Sequence, residues 1–320
     1  MPYAIEQKWI GLAKEMHRGV AVTPPTKYIA VAPDSEADYK ENLIDDENVR
    51  GLLEAKFPPS AGIKEGSLKL SGINVQSDNI GEILNSLLGA CSTTSPTTGV
   101  YDHVFTRDSN LIQMPSYSVS INRGLNAKVY NLGVVKSLAL SGSVDGKLNA
   151  DVDFLFQTEA SYPTPPTPTW VNPTPFMFYN TTFKIAGVSS LVVKDWTLNV
   201  DNQSFGQRVQ NQSQDIKDVL TFAKILTTGS FNLYIEDEVE RAKFLANTAS
   251  SFEIDIVGTA IGSTGYSNTL KIVIPEIHYT ALPFGNLDGL LGSPVAFNAY
   301  YNLSAGKSIG FELINGEATY

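Results

Sequence analysis

Ser137–Gln157 reads SLALSGSVDGKLNADVDFLFQ, in which apolar and polar side chains alternate on either side of an Asp-Gly pair. Apolar side chains fall on alternate positions up to Val144, and the alternation resumes from Leu148 to Phe156. Successive side chains of a strand point to opposite faces of a sheet, so the two runs predict two half-buried strands. The Asp145-Gly146 pair between them is a strong hairpin signal. The stretch therefore predicts an antiparallel β-hairpin.

The other face of this hairpin is polar and built from short side chains. Its members are Ser137, Ser141, Ser143, Lys147, Asn149, Asp151 and Asp153. Charged residues are mostly exposed, so a solvated strand face is the simplest interpretation. A calcium loop fits poorly, because these acids follow the turn on an extended strand. A face that lines an enclosed aqueous space is the third interpretation.

The composition of the 320-residue chain describes a globular, acidic protein. It is 42% hydrophobic and 18% charged, with a net charge of -10. Binding of nucleic acid phosphates requires clustered Lys and Arg, so the charge argues against a DNA-binding groove. The single cysteine, Cys91, precludes an internal disulfide. The start carries no signal-peptide pattern and no run is long enough to span a membrane, so we expect synthesis in the cytoplasm.

The N-terminal part of the chain gives weaker signals. Apolar residues at helical spacing predict a short amphipathic helix over residues 3–16. Pro24 and Pro25 exclude a helix after it, and the alternation that follows predicts an edge strand. The acidic, polar segment Asp34–Gly66 is interpreted as a long loop with a little helix at Val49–Ala55.

The rest of the first half predicts strands and one helix. A strand over Gly66–Val75 precedes NIGEILNSLLGA, whose apolar stripe predicts a helix capped by Ser77 or Asp78 and ended near Gly89. The remaining predicted strands are Met114–Ile121, Lys128–Val144 and Leu148–Gln157.

A proline-rich stretch, SYPTPPTPTWVNPTPF, occupies the middle of the chain. So many prolines predict a stiff, extended connector and a domain boundary. The second half repeats the order of the first, with TGSFNLYIEDEVERAKFLAN in the place of EGSLKLSGINVQSDNIGEILNSLLGA. We therefore predict a mainly β fold with minor α content: a first domain at 1–160, a connector at 161–176 and a second domain at 177–320.

Catalytic and metal-binding patterns are missing from the sequence. The GKS at Gly306–Ser308 lacks the first glycine of a phosphate loop, since Tyr301 stands there. The three histidines, His17, His103 and His278, share no metal-ligand spacing. The sequence thus predicts no enzyme, no cofactor and no metal site.

Two segments resemble the major tail tube proteins of long-tailed bacteriophages. RGVAVTPPTKYIAVAPDSEAD is similar to the Gly-Thr-Pro-rich lead into their first strand. YNLGVVKSLALSGSVDGKLNADVDFLFQTEAS resembles their pattern of strand, polar hairpin and outgoing strand ending in aromatics. Together these segments cover about a quarter of the chain.

The resemblance implies tail-tube-like β-sandwich or barrel domains, each with one short helix and a long loop. Sheets of such subunits join edge to edge into rings, and the rings stack into a virion tail tube through which DNA passes without specific binding. Asp151, Asp153 and Asn149 would then face the lumen. Contacts between rings would come from the long loops, through Asp34, Glu36, Asp45, Asp46, Glu47, Gln207 and Arg208. The implied partners are other copies of the chain, a tape-measure protein in the lumen, and the tail terminator and distal tail proteins, with no membrane.

The chain is about twice as long as the simplest relatives. If both halves are tube domains, three subunits form a ring with pseudo-sixfold symmetry; if the second half is an outer decoration, the ring is a hexamer. Another class of protein, a monomeric β-sandwich binding module of the lectin or adhesin kind, is compatible with the Pro-Thr connector. A contractile tail or a secretion device could use a related tube.

Overall fold

The computed structural model describes residues 7–48, 50–51, 56–124, 126–171, 173–190, 192–210 and 213–320. Strands dominate both halves of this described part, and each half has one short α-helix, which confirms the mainly β fold class. The elements of the first half are β1 (Trp9–Lys14), β2 (Lys27–Ile29), β3 (Glu36–Asp46), β4 (Phe57–Asn74), α1 (Ile80–Leu88), β5 (Gly89–Thr97), β6 (Val100–Arg107), β7 (Tyr117–Asn122), β8 (Ala127–Ser143), β9 (Asn149–Phe156) and β10 (Glu159–Tyr162).

The second half begins after the proline-rich stretch, whose described residues between Tyr162 and Met177 form no helix or strand. Its elements are a 3-10 turn (Phe178–Asn180), β11 (Thr181–Ile185), β12 (Val188–Ser190), β13 (Val193–Asp201), β14 (Phe205–Gln207), β15 (Asp218–Leu220), β16 (Leu226–Tyr234), α2 (Val239–Leu245), β17 (Ser250–Ala260), β18 (Ser267–Ala281), β19 (Gly285–Leu287), β20 (Leu290–Ala299) and β21 (Gly310–Asn315).

The hairpin predicted from the central stretch forms as β8 and β9. Ser141 lies opposite Asn149 in the antiparallel ladder, and Asp145 turns the chain with a φ of 64°. A left-handed φ is rare except for Gly, Asn and Asp, which explains the Asp-Gly pair. Exposed and buried residues alternate along most of β9, as the sequence predicts.

Two N-terminal predictions are wrong. Residues 9–14 form the strand β1 rather than a helix, with its first five residues buried, while Met16 is exposed. A strand buried on both faces has a continuous apolar run, which periodicity does not separate from a helix. The predicted loop Asp34–Gly66 is largely the hairpin β3–β4, whose β3 is mostly exposed and so lacks apolar alternation. The helix predicted at Val49–Ala55 falls mainly outside the described residues.

The helix α1 confirms the predicted apolar stripe, and all nine of its residues are buried. Its N-cap is Asn79, so the predicted cap at Ser77 or Asp78 is wrong by two residues or by one. Gly89 ends the helix with a φ of 88°, and its N–H donates to the carbonyl of Asn85. Only glycine adopts this conformation without strain, so the position of Gly89 determines where the helix stops.

Glu82 is a buried carboxyl group on α1, and its Oε2 atom has no hydrogen-bond partner among the described residues. Burial raises its pKa, and Tyr117, Lys14 and Lys27 offset that effect only in part. Since the folded-state pKa lies above the unfolded one, ionisation of Glu82 costs stability as the pH rises above its unfolded pKa. We expect Glu82→Gln to stabilise the fold by about 1–2 kcal/mol at pH 7 in urea unfolding.

This gain should vanish below about pH 4, where the glutamate is protonated in both the folded and the unfolded state. The exposed Glu236→Gln is the matched control and should change little at either pH. A gain for Glu82→Gln that is the same at pH 4 as at pH 7 would show that packing, not ionisation, is responsible.

The two halves have the same strand order. In the first half neighbouring strands run β3-β4-β9-β8-β7-β1-β2. In the second half they run β13-β16-β20-β18-β17-β11-β12. In each half the helix follows the second strand of this order. The first half differs by the hairpin β5–β6, which is inserted between α1 and β7.

Strand pairing joins the two halves directly. β13 pairs antiparallel with β8 over seven residues, from Ser137 opposite Asp201 to Ser143 opposite Asp195. A second junction pairs β21 with β6. One hydrophobic cluster contains buried residues of both halves, including Phe154 and Phe231. The halves therefore share sheet and core, and the division at the connector remains a prediction.

Candidate functional site

The predicted polar face of β9 is exposed in the structure. Asn149, Asp151 and Asp153 are all exposed, whereas the two residues between them are buried. The hydroxyl of Ser137 on β8 donates a hydrogen bond of 2.8 Å to Oδ2 of Asp153. The backbone N–H of Gly72, at a bulge of β4, donates one of 2.8 Å to Oδ1 of Asp151. Both carboxylates are therefore held close to the sheet.

This face continues across the junction of the two halves. Ala139 of β8 lies opposite Asp151 on one side and opposite Asn199 of β13 on the other, and Asn199 lies opposite Thr228 of β16. We define the polar sheet face by thirteen exposed or half-buried residues around this junction: Lys69, Ser137, Ala139, Ser141, Asn149, Asp151, Asp153, Asp195, Thr197, Asn199, Asp201, Thr228 and Ser230.

The polar sheet face consists mainly of short side chains and carries a net negative charge. Its members carry the four carboxylates of Asp151, Asp153, Asp195 and Asp201 and the ammonium of Lys69. Ser143 and Lys147, which the sequence also predicts on this face, are exposed at the hairpin turn, and Lys147 adds a second ammonium there. Its uncharged members are Ala, Ser, Thr and Asn, and Thr197 and Ser230 bond to each other at 2.8 Å. Such a surface repels phosphate, and its short side chains leave the space in front of it open.

Sequence reasoning placed only first-half residues on this face and missed its second-half members. The signal was present in KDWTLNVD, where Thr197 and Asn199 alternate with the buried Trp196, Leu198 and Val200. The sequence does not indicate which strand pairs with β13. Only the pairing of β13 with β8 extends the face across the two halves.

The predicted inter-ring residues of the first half lie at the two ends of β3. Asp34 is in the turn before β3, and Glu36 starts it. Glu36 forms ion pairs with Arg123 and Lys8. Burial raises the pKa of Glu36, but hydrogen bonds from Arg123, Lys8 and the N–H of Ala37 outweigh it and hold that pKa below its usual range.

Asp45, Asp46 and Glu47 lie together near the tip of the β3–β4 hairpin. Asp45 pairs with Lys56 at 2.8 Å, and Asp46 pairs with Arg50. The neighbouring Leu43 and Ile44 are each 61% exposed. The tip thus combines acidic groups with apolar side chains that lack cover from the described part of the chain.

Gln207 and Arg208 lie apart from that tip. Gln207 belongs to β14 and lies opposite Asp218 of β15, and Arg208 forms an ion pair with Glu65 of β4. Asp218 also pairs with Arg18 at 2.7 Å. The segment after β13 therefore folds back over the first half of the same chain.

The structure does not bring the three histidines together. His17 is exposed, and His278 bonds to Asn247. His103 is buried between the Thr93 hydroxyl and the carbonyl of Glu317, at 2.8 Å from each. The described residues contain no group of three His, Cys, Asp or Glu side chains placed to hold a metal ion. None of the described helices is long and apolar enough to cross a membrane.

The described residues thus form a mainly β architecture with an extended, acidic sheet face. The chain belongs to the phage tail tube protein family, whose profile matches residues 9–299. It is therefore a virion component with a structural role in the tail tube, and its family is not an enzyme family. Membership also implies self-assembly into a tube and association with other tail proteins. No curated protein matches the chain.

Proposed function

We propose that this chain forms rings that stack into the tail tube, and that the polar sheet face lines the bore through which DNA passes into the host. The observation that carries the proposal is the continuity of this face over both halves through the β8–β13 junction. A bore needs a smooth, negative wall, because positive groups would retain the phosphates of DNA. Asn149, Asp151 and Asp153 are the proposed lumen residues of the first half.

The ring is proposed to contain three chains with pseudo-sixfold symmetry. Each half has the same seven-strand order, and the β8–β13 junction joins the two halves side by side. Three chains supply six such units. The alternative is a hexamer in which the second half decorates the outside, but the second-half residues of the polar sheet face favour a role for both halves in the wall.

Contacts between stacked rings are proposed to involve Asp34, Glu36, Asp45, Asp46, Glu47, Gln207 and Arg208. The tip of the β3–β4 hairpin fits this role best, since it carries exposed Leu43 and Ile44 beside its acids. Within the bore the partner during assembly is a tape-measure protein, and the tube ends meet the tail terminator and distal tail proteins. DNA passes without specific binding.

Electron microscopy of the purified chain, with mass per length measured on the same particles, tests the proposal. We expect hollow tubes with a sixfold-like cross-section and a mass of three chains per axial repeat. Six chains per repeat would replace the trimer with the hexamer. Chains that stay monomeric at high concentration and bind glycans would overturn the proposal in favour of a lectin-like binding module.

A further inference from the structure

Strand β3 has an open outer edge. Among the described residues β3 pairs with β4 alone, whereas its counterpart β13 is flanked by β16 and β8. The N–H of Ala37 donates to the carboxylate of its neighbour Glu36, at 3.0 Å. The backbone of β3 is therefore available for pairing along the side away from β4.

A second open edge lies at the end of β18 and along β19. β20 pairs with one side of this segment, and on the other side the ladder with β17 ends where Ser250 lies opposite Ile277. No strand of the described chain pairs with that side beyond Ile277. On β8, the corresponding place is occupied by β13.

The hairpins themselves fix which residues correspond. The β8–β9 ladder has one register irregularity directly before Ser137, and the β18–β20 ladder has one directly before Ala281. Both hairpins then turn at an aspartate with positive φ, Asp145 at 64° and Asp288 at 53°. The second turn is one residue shorter, because seven residues separate the partners Ser141 and Asn149 but six separate Gly285 and Gly292. Ser137 therefore corresponds to Ala281.

The correspondence can be followed from strand to strand across each half, as far as β3 in the first half and β13 in the second. In the first half the residues that lie opposite one another in turn are Ser137, Asp153, Lys69 and Glu36. In the second half they are Ala281, Ala296, Ser230 and Thr197. Glu36 of β3 therefore corresponds to Thr197 of β13, and Lys40 to Asp201.

We propose that β3 of one copy pairs antiparallel with the β18–β19 edge of the next copy, in the register that β13 adopts on β8. Because Asp201 lies opposite Ser137, Lys40 lies opposite Ala281 of the neighbour. Because Asn199 lies opposite Ala139, Asp38 lies opposite Pro283. This inference rests on the proposed function and identifies the seam that closes its ring. It moves Glu36, the first residue of β3, from the contacts between stacked rings to this seam within one ring.

Pro283 does not obstruct this seam. Just after β13, the N–H of Asn202 donates to the carbonyl of Lys136 on β8 at 2.8 Å. Alternate residues of β8 from Lys136 onward, Leu138 and Leu140, therefore direct their backbone N–H and C=O groups toward β13. Leu282 and Phe284 correspond to Leu138 and Leu140, so their backbone N–H and C=O groups point to the open edge. The missing N–H of Pro283 falls on the other side of the strand.

Inward-facing side chains at both open edges are partly exposed, and the proposed pairing would bury them. Leu140 of β8 is 1% exposed beneath β13, whereas its counterpart Phe284 is 41% exposed. Ala37, which the register places opposite Phe284, is only half-buried, while its counterpart Leu198 is 1% exposed. A second copy on this edge would cover both side chains.

Disulfide crosslinking in assembled tubes tests the register, in a Cys91→Ser background. The predicted pairs are Asp38→Cys with Pro283→Cys and Lys40→Cys with Ala281→Cys. Directly opposite, non-hydrogen-bonded residues have Cα atoms about 4.5 Å apart, within the range of a disulfide. The matched controls recombine the same cysteines two residues out of register: Asp38→Cys with Ala281→Cys, and Lys40→Cys with Pro283→Cys.

We expect both predicted pairs to link neighbouring chains under mild oxidation, with covalent species of up to three chains, and the shifted pairs to link about tenfold less. Ala139→Cys with Asn199→Cys, at the equivalent junction inside the chain, is the positive control and should crosslink without a change in mass. Tubes whose predicted pairs do not link, or link no more than the shifted pairs, would overturn this seam and leave the tube function standing. Unsubstituted protein that never assembles would overturn the proposed ring and the seam with it.

Discussion

Phe231→Ala is expected to destabilise the whole chain by about 3–5 kcal/mol in denaturant unfolding, the cost of truncating a buried aromatic. Phe231 is 1% exposed and stacks on Phe252, with ring centroids 5.5 Å apart. Phe297 and Tyr279 also lie against it, at 6.0 and 6.2 Å. The loss is expected to appear in one transition, because the two halves share a sheet and a hydrophobic cluster.

Scanning calorimetry with circular dichroism checks both the size and the cooperativity of this change. The matched control is the aromatic Tyr301→Ala, since Tyr301 is 56% exposed and its loss should cost less than about 0.5 kcal/mol. Agreement of the calorimetric and van't Hoff enthalpies would indicate a single unit. Two transitions, of which the substitution moves only one, would contradict this expectation and show that the predicted domains at 1–160 and 177–320 unfold independently.

Asp151→Lys combined with Asp153→Lys is expected to leave tube assembly intact and to make the tubes retain DNA. Each substitution adds two charges, so the net charge of the chain changes from -10 to -6. Both side chains are exposed, and neither belongs to an ion pair within the described residues. Lysines in the bore would bind phosphate and release counterions, so retention should rise by about tenfold or more at low salt and fall steeply as salt is added.

Co-sedimentation of short double-stranded DNA with tubes at two salt concentrations measures this effect. The control Glu236→Lys with Glu238→Lys makes the same change of charge on exposed residues just before α2, outside the polar sheet face. Equal DNA retention by the two variants would mean that net charge alone matters, and it would remove the reason to place Asp151 and Asp153 in the lumen.

Local patterns predicted the elements whose periodicity is unambiguous. The β8–β9 hairpin followed from alternation around Asp145-Gly146, and α1 followed from its apolar stripe and Gly89. The same reasoning failed for β1 and β3. β1 is apolar on both faces, and β3 is polar on nearly all sides, so neither shows the alternation of a half-buried strand.

The polar sheet face was likewise predictable from the sequence only in part. Alternation in the sequence was enough to determine that Asn149, Asp151 and Asp153 share one exposed face, because side-chain direction in a strand is a local property. The extension of this face through Ala139 to Asn199 is visible only in the folded chain, because the packing of both halves around one core determines which distant strands become neighbours. In the β8–β9 hairpin, local alternation therefore predicts which side chains face away from the core, and the packing of the two halves determines which of them form one surface.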